Sequence, residues 1–376
     1  MSSPLLTLPG AVEATGHDAG VAAHYGNPLV EQRRLAAGEA IVDLSHRSVL
    51  TITGPDRLSW LHSISSQSLT GMGAGDSSET LLLAPTGRLE HAVRLLEDGE
   101  TLWLLVERAE ATSLLEWLAS MRFMLRVELA DRTEDYATIG ALSSEPPVNP
   151  AVSNATPLVW HDPWSSVAPG GHQYATAGEH PGEGWSWSET LVARGDLRQI
   201  AERAASGHLP AAGLLAHEAL RIAAWRPRFA TEVDERTIPH ELDWLRTAVH
   251  LEKGCYRGQE TVAKVHNLGH PPRRLVMLHL DGSDAVLPPA GSPVWFDADG
   301  ERREAGLVTS SAIHYELGPI ALAVVKRGTD VALTLNVDAD GVVVTAAQEV
   351  VVPPSAGAEA HVPRLPRLGA VTRPTR

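Results

Sequence analysis

Runs of hydrophobic residues predict four β-strands in the first third of the chain. These runs are rich in Leu, Val and Ile, and the turn sequences PTG (85–87) and EDGE (97–100) separate the last three. Two other segments have apolar residues three and four positions apart, which predicts helices at 55–65 and 109–123. Strands that alternate with helices indicate an α+β domain. The predicted strands are SVLTITG (48–54), ETLLLA (79–84), HAVRLLE (91–97) and TLWLLVE (101–107).

The middle of the chain begins with a loop-like segment, 143–190, which contains SSEPPVNP, HDPW, APGGH and GEGWSW. Two helices are predicted after it, DLRQIAERAASG (196–207) and AAGLLAHEALRIAAW (211–225). In the second, Leu214, Ala219 and Ile222 have helical spacing, and Pro227 ends the pattern.

The last third of the chain has short apolar runs separated by Gly and Asp. This spacing predicts a small antiparallel barrel or sandwich. The runs are PPRRLVMLHLDG (271–282), SPVWF (292–296), AGLVTS (305–310), IALAVVKR (320–327) and GVVVTA (341–346).

A chain of 376 residues exceeds what one hydrophobic core usually organises, so several domains are expected. The two ends are rich in Pro, Gly and Ala without periodicity, and both are predicted to be disordered. The predicted division is a disordered tail (1–20), an N-terminal α+β subdomain (21–140), a middle α+β subdomain (141–270), a β-barrel (271–352) and a second disordered tail (353–376).

Charge and composition exclude several classes of function. The formal net charge of −15 discourages nonspecific binding to nucleic acid, so no direct nucleic-acid contact is expected. No segment approaches the ~18 apolar residues of a membrane span, and the first residues do not resemble a secretory signal, so a cytoplasmic location is expected. The 17 histidines, His161 and His172 among them, show no convincing metal-ligand spacing, and no metal site is predicted. Walker-type GxxxxGK[ST], GxSxG and HExxH motifs are absent from the sequence.

The only cysteine of the chain, Cys255, lies in the segment KGCYRGQE (253–260). Lys253 and Arg257 flank it, and neighbouring cations favour a thiolate over a thiol. Most free cysteines are small buried hydrophobes, but burying two cations beside one is costly. The pattern therefore slightly favours a functional thiol.

The other residues of this segment suit a ligand-binding loop. Gly254 and Gly258 permit unusual backbone torsions and close approach of a ligand. Tyr256 offers an aromatic face, and Gln259 and Glu260 can hold the loop by hydrogen bonds or ion pairs. Nearby cations, Arg221 and Arg228 among them, favour a small anionic ligand.

KGCYRGQE resembles the K-G-C-[FY]-x-G-Q-[DE] signature of the folate-binding YgfZ family, which is related to the glycine-cleavage aminomethyltransferases, or T-proteins. The similarity extends over roughly residues 40–350, except for 143–190. It includes LSHRSVLTITGPDRLSWLHSISSQSL, HEALRIAAWRPRFATEVDERTIPHEL and AGLVTSSAIHYELGPIALAVVKR.

The resemblance implies an aminomethyltransferase-like α+β fold with three subdomains around a central folate cleft and a C-terminal antiparallel β-barrel. It also implies a tetrahydrofolate-type cofactor and support for the assembly or repair of iron–sulfur enzymes, including tRNA-modifying ones. The partners would be these client enzymes or the assembly machinery. Cys255 would be the reactive thiol, and Trp60, Trp225 and Trp244 are candidate pocket residues. The expected folate- or anion-binding residues are Lys253, Gly254, Tyr256, Arg257, Gly258, Gln259, Glu260, Arg221 and Arg228.

Two departures leave open whether the chain is an enzyme. Aminomethyltransferases carry an acidic pair in a G-x-x-D-D-L context, where this chain has Glu90 and His91 as weak candidates for a general base. They also carry a pteridine-binding glutamate in an R-L-E-A-G context, where this chain has Ala223. A tetrahydrofolate-dependent aminomethyltransferase therefore remains an alternative. A thiol redox protein without folate is a second alternative, which would need an external resolving thiol.

Overall fold

The computed structural model describes residues 2–176, 178–283 and 286–361. The α-helices within these ranges are α1 (Pro28–Ala36), α2 (Arg57–Ile64), α3 (Arg108–Met121), α4 (Leu197–Ala205), α5 (Leu214–Ala223), α6 (Phe229–Glu232) and α7 (Gln259–Leu268). The strands are β1 (Val12–Glu13), β2 (Ala22–His24), β3 (Ile41–Asp43), β4 (Ser48–Thr53), β5 (Ser77–Leu83), β6 (Leu89–Glu97), β7 (Thr101–Val106), β8 (Glu128–Asp131), β9 (Tyr136–Leu142), β10 (Val152–Ser153), β11 (Thr156–Pro157), β12 (Val159–His161), β13 (Trp187–Ala193), β14 (Ala211–Ala212), β15 (Arg273–Leu280), β16 (Pro293–Ala298), β17 (Glu301–His314), β18 (Gly318–Lys326), β19 (Leu335–Ala339) and β20 (Val342–Val350).

The four strands predicted in the first third form one antiparallel sheet with a fifth, unpredicted strand, β8, in the order β5-β6-β7-β4-β8. Alternate residues of its strands point to opposite faces. On one face, Leu50 and Ile52 pack with Leu114 and Leu118 of α3, as the helical spacing predicts. The other face carries Leu105, which belongs to the largest core of the molecule.

A second five-stranded sheet, β12-β13-β9-β3-β14, takes strands from both sides of the predicted boundary at residue 140. That boundary is wrong as a structural division because it falls inside β9, which pairs with β3 and with β13. The first sheet is thus an insertion between two strands of the second. Composition gives no sign of such long-range pairing. The segment 143–190, expected to be loop-like, supplies β12 and the start of β13.

The two sheets pack face to face over the largest hydrophobic core. The first sheet contributes Leu81 and Trp103, and the second contributes Trp187 and Leu191. All four side chains are buried. Polar side chains replace this apolar filling along one part of the interface, and that part is the candidate site.

The predicted C-terminal barrel is confirmed as a closed, antiparallel barrel in the order β15-β18-β17-β16-β19-β20. Closure follows because β15 pairs with β18 on one side and with β20 on the other. Its interior holds Val276, Leu278 and Val337, which alternate with outward-facing residues.

The first 20 residues, expected to be disordered, are ordered where the structure describes them. Residues 4–7 form a 3₁₀-helix, and Leu5 is fully buried in a core with Leu197 and Ile200 of α4. Asp18 forms ion-paired hydrogen bonds with Arg228. A few long-range contacts hold this segment, and its sequence has no periodicity that would reveal them.

The second predicted tail is ordered as far as the description extends. Backbone N–H groups of Ala358, Glu359 and Ala360 donate to carbonyl oxygens in the last turn of α7. These contacts satisfy groups that a helix end otherwise leaves without partners. Residues 362–376 lie outside the described residues.

None of the helices in the described ranges has both the length and the apolar character needed to cross a bilayer.

Candidate functional site

A cavity opens between the two sheets and the segment that follows α5. It holds about 530 Å³ not occupied by atoms, counting the part open to solvent. Its lining combines tryptophans with buried charged groups. The lining residues are Arg47, Glu79, Ala92, Val93, Arg94, Glu107, Trp160, Asp162, Trp185, Trp187, Glu189, His217, Arg221, Arg226, Pro227, Arg228, Phe229 and Trp244.

Tryptophan rings form much of the apolar surface of this cavity. The rings of Trp185 and Trp187 are stacked, with centroids 5.6 Å apart and an interplanar angle of 18°. Trp160, on the neighbouring strand β12, also lines the cavity, with the Arg94 guanidinium 5.9 Å from its ring centroid. Flat aromatic walls suit a planar ligand, because such rings stack at this kind of separation.

Glu189, on strand β13, is the most buried carboxylate of the cavity, with 1% of its surface exposed. One oxygen, Oε1, accepts hydrogen bonds from Arg47 (2.8 Å), Arg94 (2.8 Å) and the Trp187 indole (3.2 Å). The other, Oε2, is buried without a partner among the described residues. Burial opposes ionisation, but Arg94 and Arg47 hold the pKa of Glu189 below its usual value. The carboxylate is therefore ionised, and the lone pairs of Oε2 can accept hydrogen bonds.

Arg226 presents the complementary feature, a buried donor without a partner. Its Nε donates to Asp162 (3.0 Å) and its Nη2 to Glu79 (2.7 Å), while Nη1 is unpaired within the described chain. The indole N–H of Trp244 is unpaired in the same way. Buried polar groups normally have hydrogen-bond partners. Several buried groups without partners around one cavity therefore point to a bound molecule.

The two arginines expected to hold an anionic ligand, Arg221 and Arg228, line the cavity but are already occupied. Arg228 uses Nε, Nη1 and Nη2 in hydrogen bonds to Glu107, Asp18 and Glu218. Because these bonds use all five N–H donors of the guanidinium, Arg228 has none left for a ligand. Arg221 is held by Glu218 and Glu232. Buried carboxylates neutralise both cations, and the sequence alone does not show that these carboxylates lie beside the two arginines.

Asp18, His46 and Glu107 lie close enough to one another to hold a metal ion. Arg228 already supplies a positive charge there, since it donates to both Asp18 and Glu107. The arrangement is explained as an ion-pair network.

Cys255 is exposed and lies outside the cavity, in the loop that precedes α7. The Lys253 ammonium next to it turns inward and donates to the carbonyl oxygens of His62, Ser65 (2.6 Å) and Gln67 (2.9 Å). Three acceptors use all three protons, so Lys253 is not available to hold a ligand carboxylate. Burial lowers the pKa of Lys253 to about 8. It anchors the thiol loop at the carbonyl end of α2, where a cation is favoured.

The remaining residues of KGCYRGQE also support the loop. Tyr256 is buried in the main core, so its ring is not a free stacking face. Gly258 has φ +85°, in the left-handed region that favours glycine, whereas Gly254 is exposed with open space around it. Gln259 donates to the Lys253 carbonyl at 3.1 Å. Glu260 is exposed in the first turn of α7, where a negative charge is favourable.

Arg257 takes its counter-ion from β6 and not from Glu260. Its guanidinium donates to Glu90 at 2.6 and 3.3 Å and lies 5.7 Å from the centroid of the Trp117 ring. His91 faces elsewhere and approaches Glu110 of α3 with an Nδ1–Oε1 distance of 3.2 Å. Glu90 and His91 therefore do not form an acidic or acid–base pair.

Strand β6 connects the thiol loop with the cavity. The register of β5 against β6 shifts next to Glu90, and such bulges redirect side chains. Arg94 lies four residues further along the same strand and lines the cavity, so the Cα atoms of Glu90 and Arg94 are about 13 Å apart. The pair Arg257–Glu90 thus holds the Cys255 loop at one end of the strand that forms a cavity wall.

Of the three candidate pocket tryptophans, only Trp244 lines the cavity. Trp60 packs in the core between the first sheet and its helices, and Trp225 is fully buried in the main core. The local sequence patterns did not single out Glu189, nor did they distinguish Arg226 from the neighbouring arginines. The alternating pattern WSWSET (185–190) could have identified Glu189, because it puts Trp187 and Glu189 on one face of a strand.

Residues 273–355 match the model of the glycine cleavage T-protein C-terminal barrel domain. Among curated proteins, the chain is 26% identical to an aminomethyltransferase of Herpetosiphon aurantiacus over 327 residues, covering 85% of this chain and 86% of that protein. It is also 26% identical to a putative chloroplastic transferase of Arabidopsis thaliana, covering 81% and 70%.

A solved structure confirms the predicted fold. The glycine cleavage system aminomethyltransferase T of Bartonella henselae superimposes with a TM-score of 0.71 at 17% identity, covering 92% of this chain and 94% of that one. The fold is therefore aminomethyltransferase-like over nearly the whole chain.

Proposed function

We propose that this chain, which has the fold and the C-terminal barrel of the T-protein-like superfamily, binds a reduced folate in the cavity between its two sheets. One observation carries the proposal. The cavity is lined by tryptophan rings together with Glu189 and Arg226, each of which has a buried polar atom (Oε2 and Nη1) without a partner among the described residues. A pteridine is planar and has both N–H donors and a carbonyl acceptor, so it can satisfy both groups at once.

The first prediction is that the purified protein binds tetrahydrofolate. An anaerobic calorimetric titration should show saturable binding with one ligand per chain. Arg126→Met, a change on an exposed ion pair far from the lining residues, should bind equally well. Absence of heat and of saturation at millimolar tetrahydrofolate would remove this proposal together with the aminomethyltransferase alternative.

We further propose that the protein supports the assembly or repair of iron–sulfur enzymes, including tRNA-modifying ones, as a member of the folate-binding YgfZ family. The complete KGCYRGQE segment supports this proposal, as does the exposed position of its thiol. The buried anchoring of Lys253 gives this loop a defined position near the cavity wall. Its partners would be client enzymes or the assembly machinery. Since an exposed free thiol persists in a reducing compartment, the cytoplasm is the proposed location.

The second prediction separates the thiol from folate binding. Cys255→Ser should leave the unfolding midpoint and the affinity for tetrahydrofolate unchanged, because the side chain is exposed and outside the cavity. The same variant should fail to restore iron–sulfur enzyme activity in a strain that lacks this protein. Glu252→Gln, an exposed position just before the segment, is the control and should restore activity. Full restoration by Cys255→Ser would refute the role given to the thiol.

Aminomethyl transfer is the alternative, and the named aminomethyltransferase relatives favour it. Against it, Glu90 is tied to Arg257, His91 faces Glu110, and Ala223 provides no carboxylate. Turnover assays on folate-binding preparations decide between the two, because release of a one-carbon unit would favour the transferase. A thiol redox protein without folate becomes the favoured hypothesis only if the calorimetric titration shows no binding of tetrahydrofolate.

A further inference from the structure

We propose that residues 121–126 (MRFMLR), at the end of α3, form a docking loop for a partner protein and bring this partner next to Cys255. The partner surface that fits this loop has an apolar pocket bordered by acidic residues. The inference rests on the proposed support of iron–sulfur enzymes and deepens it, because it names where a client protein binds.

The docking loop exposes four large apolar side chains within five residues. Phe123 and Met124 are 85% and 84% exposed, and Met121 and Leu125 are exposed as well. Single exposed apolar residues are common, but a contiguous exposed group marks an interaction site. Aromatic residues, Met and Arg are also the types that protein–protein interfaces favour. The loop therefore has the composition of a contact surface.

The docking loop is anchored at both ends. The Trp60 indole donates to the Met121 carbonyl oxygen at 3.2 Å. Arg126 donates to Asp56 through its backbone N–H at 2.9 Å and through its guanidinium at 2.7 and 3.0 Å. Between these anchors Phe123 has φ +48°, which is unfavourable for an aromatic residue and is typical of functional sites. The apolar side chains are thus presented in a fixed arrangement, which reduces the entropy lost on binding.

Shape and charge indicate what covers the loop. A groove of about 970 Å³, counting the part open to solvent, lies between the loop and residues 53–55, so side chains of a partner can enter beside Phe123. Arg122 is exposed and forms no ion pair with the described residues. The net charge of −15 repels acidic molecules from most of the surface, whereas this loop attracts them. The same net charge opposes adsorption to an anionic membrane, which extends beyond one loop.

Helix α3 connects the docking loop with the thiol loop. Trp117 lies one turn before Met121, which is about 6 Å along the helix axis. The centroid of the Trp117 ring is 5.7 Å from the guanidinium of Arg257, two residues after Cys255.

Helix α2 makes a second connection. Its Trp60 holds the docking loop, and the carbonyl oxygen of its His62 accepts from Lys253, two residues before Cys255. The exposed thiol and the exposed apolar loop are therefore fixed to the same two helices. A partner that covers the docking loop has Cys255 at its edge.

The experiment measures complementation in a strain that lacks this protein. Phe123→Asn combined with Met124→Ser removes the two most exposed apolar side chains, and asparagine tolerates the left-handed backbone. This double variant should restore about one-tenth of the wild-type iron–sulfur enzyme activity or less, because central apolar anchors commonly contribute a factor of ten or more in affinity. Its affinity for tetrahydrofolate should equal that of wild type, and its unfolding midpoint should not fall, since both residues are exposed and outside the cavity.

Val152→Ser combined with Val343→Ser is the matched control, because these exposed residues lie elsewhere, on β10 and β20. It should restore the activity fully. Arg122→Glu tests the acidic border without touching the apolar side chains and should restore the activity weakly, whereas Arg122→Lys should restore it fully. Full restoration by the Phe123 and Met124 double variant, or by Arg122→Glu, would overturn the inference while the proposed function stands.

Two measurements on purified protein separate a partner protein from other occupants. Wild type should neither co-sediment with vesicles of phosphatidylcholine and phosphatidylglycerol nor form a dimer in analytical ultracentrifugation through this loop. Vesicle binding or a dimer that the double variant loses would assign the loop to a membrane surface or to a second copy, and would overturn the inference. Failure of wild type to restore iron–sulfur enzyme activity would instead overturn the proposed function, and the inference with it.

Discussion

Gly258→Ala is expected to destabilise the protein by about 2–5 kcal/mol. The backbone at Gly258 has φ +85°, which costs an L-residue about 1–2 kcal/mol. A Cβ there would also lie 2.7 Å from the Ala84 carbonyl oxygen and 2.9 Å from the Leu83 Cβ. The first of these neighbours is backbone and cannot rotate away, so the β5–β6 turn must shift, at an overpacking cost of about 1–3 kcal/mol. The two costs give the expected range.

Gly254→Ala, four residues earlier in the same loop, is the control. No atom lies within 4 Å of its added Cβ, and its φ is outside the left-handed region. We expect its free energy of unfolding to change by less than about 0.5 kcal/mol, as for most surface substitutions. Urea unfolding followed by tryptophan fluorescence measures both variants. Equal stabilities for Gly258→Ala and wild type would show that the loop does not pack against the β5–β6 turn as described.

Local patterns in the sequence predicted the elements of this fold well. Four of the five strands of the first sheet, helices α2 and α3, and five of the six barrel strands lie where hydrophobic spacing placed them; β8 and β19 were not predicted. Strands β4, β5 and β7 are buried on both faces and appear as short continuous apolar runs, whereas α3 buries one face and shows helical spacing. The KGCYRGQE segment could be singled out for a related reason, because its glycines and charges are adjacent in sequence.

Contacts between distant segments were not predictable in this way. Strand β3 pairs with β9 across almost a hundred residues of sequence. Leu5 is buried against α4, and their separation in sequence is larger still. The partners of charged residues are equally non-local. Arg228 was expected to be free for a ligand, but it meets Asp18 from one end of the chain and Glu107 from the first sheet. A single sequence shows the charges without showing which of them meet.

The strand β13 shows a different reason for failure. Its pattern alternates as a strand should, but it follows Gly- and Pro-rich sequences that indicated a loop. Glu189 was passed over because a buried acidic residue inside a strand is rare and needs cations from elsewhere. Those cations, Arg47 and Arg94, belong to the other sheet and the loop before it. The site therefore exists only once the two sheets have packed together.

Packing of the sheets depends in turn on a network of buried charges, in which Arg228 is the central cation. Replacing it with methionine, which has a similar length, should destabilise the protein by about 3–5 kcal/mol at pH 7, because buried carboxylates lose their partner. Glu107 is affected most, since it receives two hydrogen bonds from Arg228, and its remaining cation Arg47 is 4.0 Å away. Arg126→Met, on an exposed ion pair with Asp56, is the control and should cause no measurable change.

The effect should depend on pH in a defined direction. In wild type, burial opposes ionisation, but Arg228 and Arg47 hold the pKa of Glu107 well below its usual value. Its contribution to stability is therefore present above the unfolded pKa of about 4.3 and is lost as the pH falls below it. In Arg228→Met, burial dominates and raises the folded-state pKa of Glu107. The variant therefore loses stability as the pH rises from the unfolded pKa of about 4.3 to the raised folded pKa.

The difference in unfolding free energy between wild type and Arg228→Met should therefore be larger at pH 8 than at pH 5. Urea unfolding of both proteins at the two pH values measures it, with Arg126→Met as reference. A difference that stays constant between pH 5 and pH 8 would mean that the carboxylates find other cations or water when Arg228 is removed. In that case the stability of the cavity wall would come from its apolar core and not from this charge network.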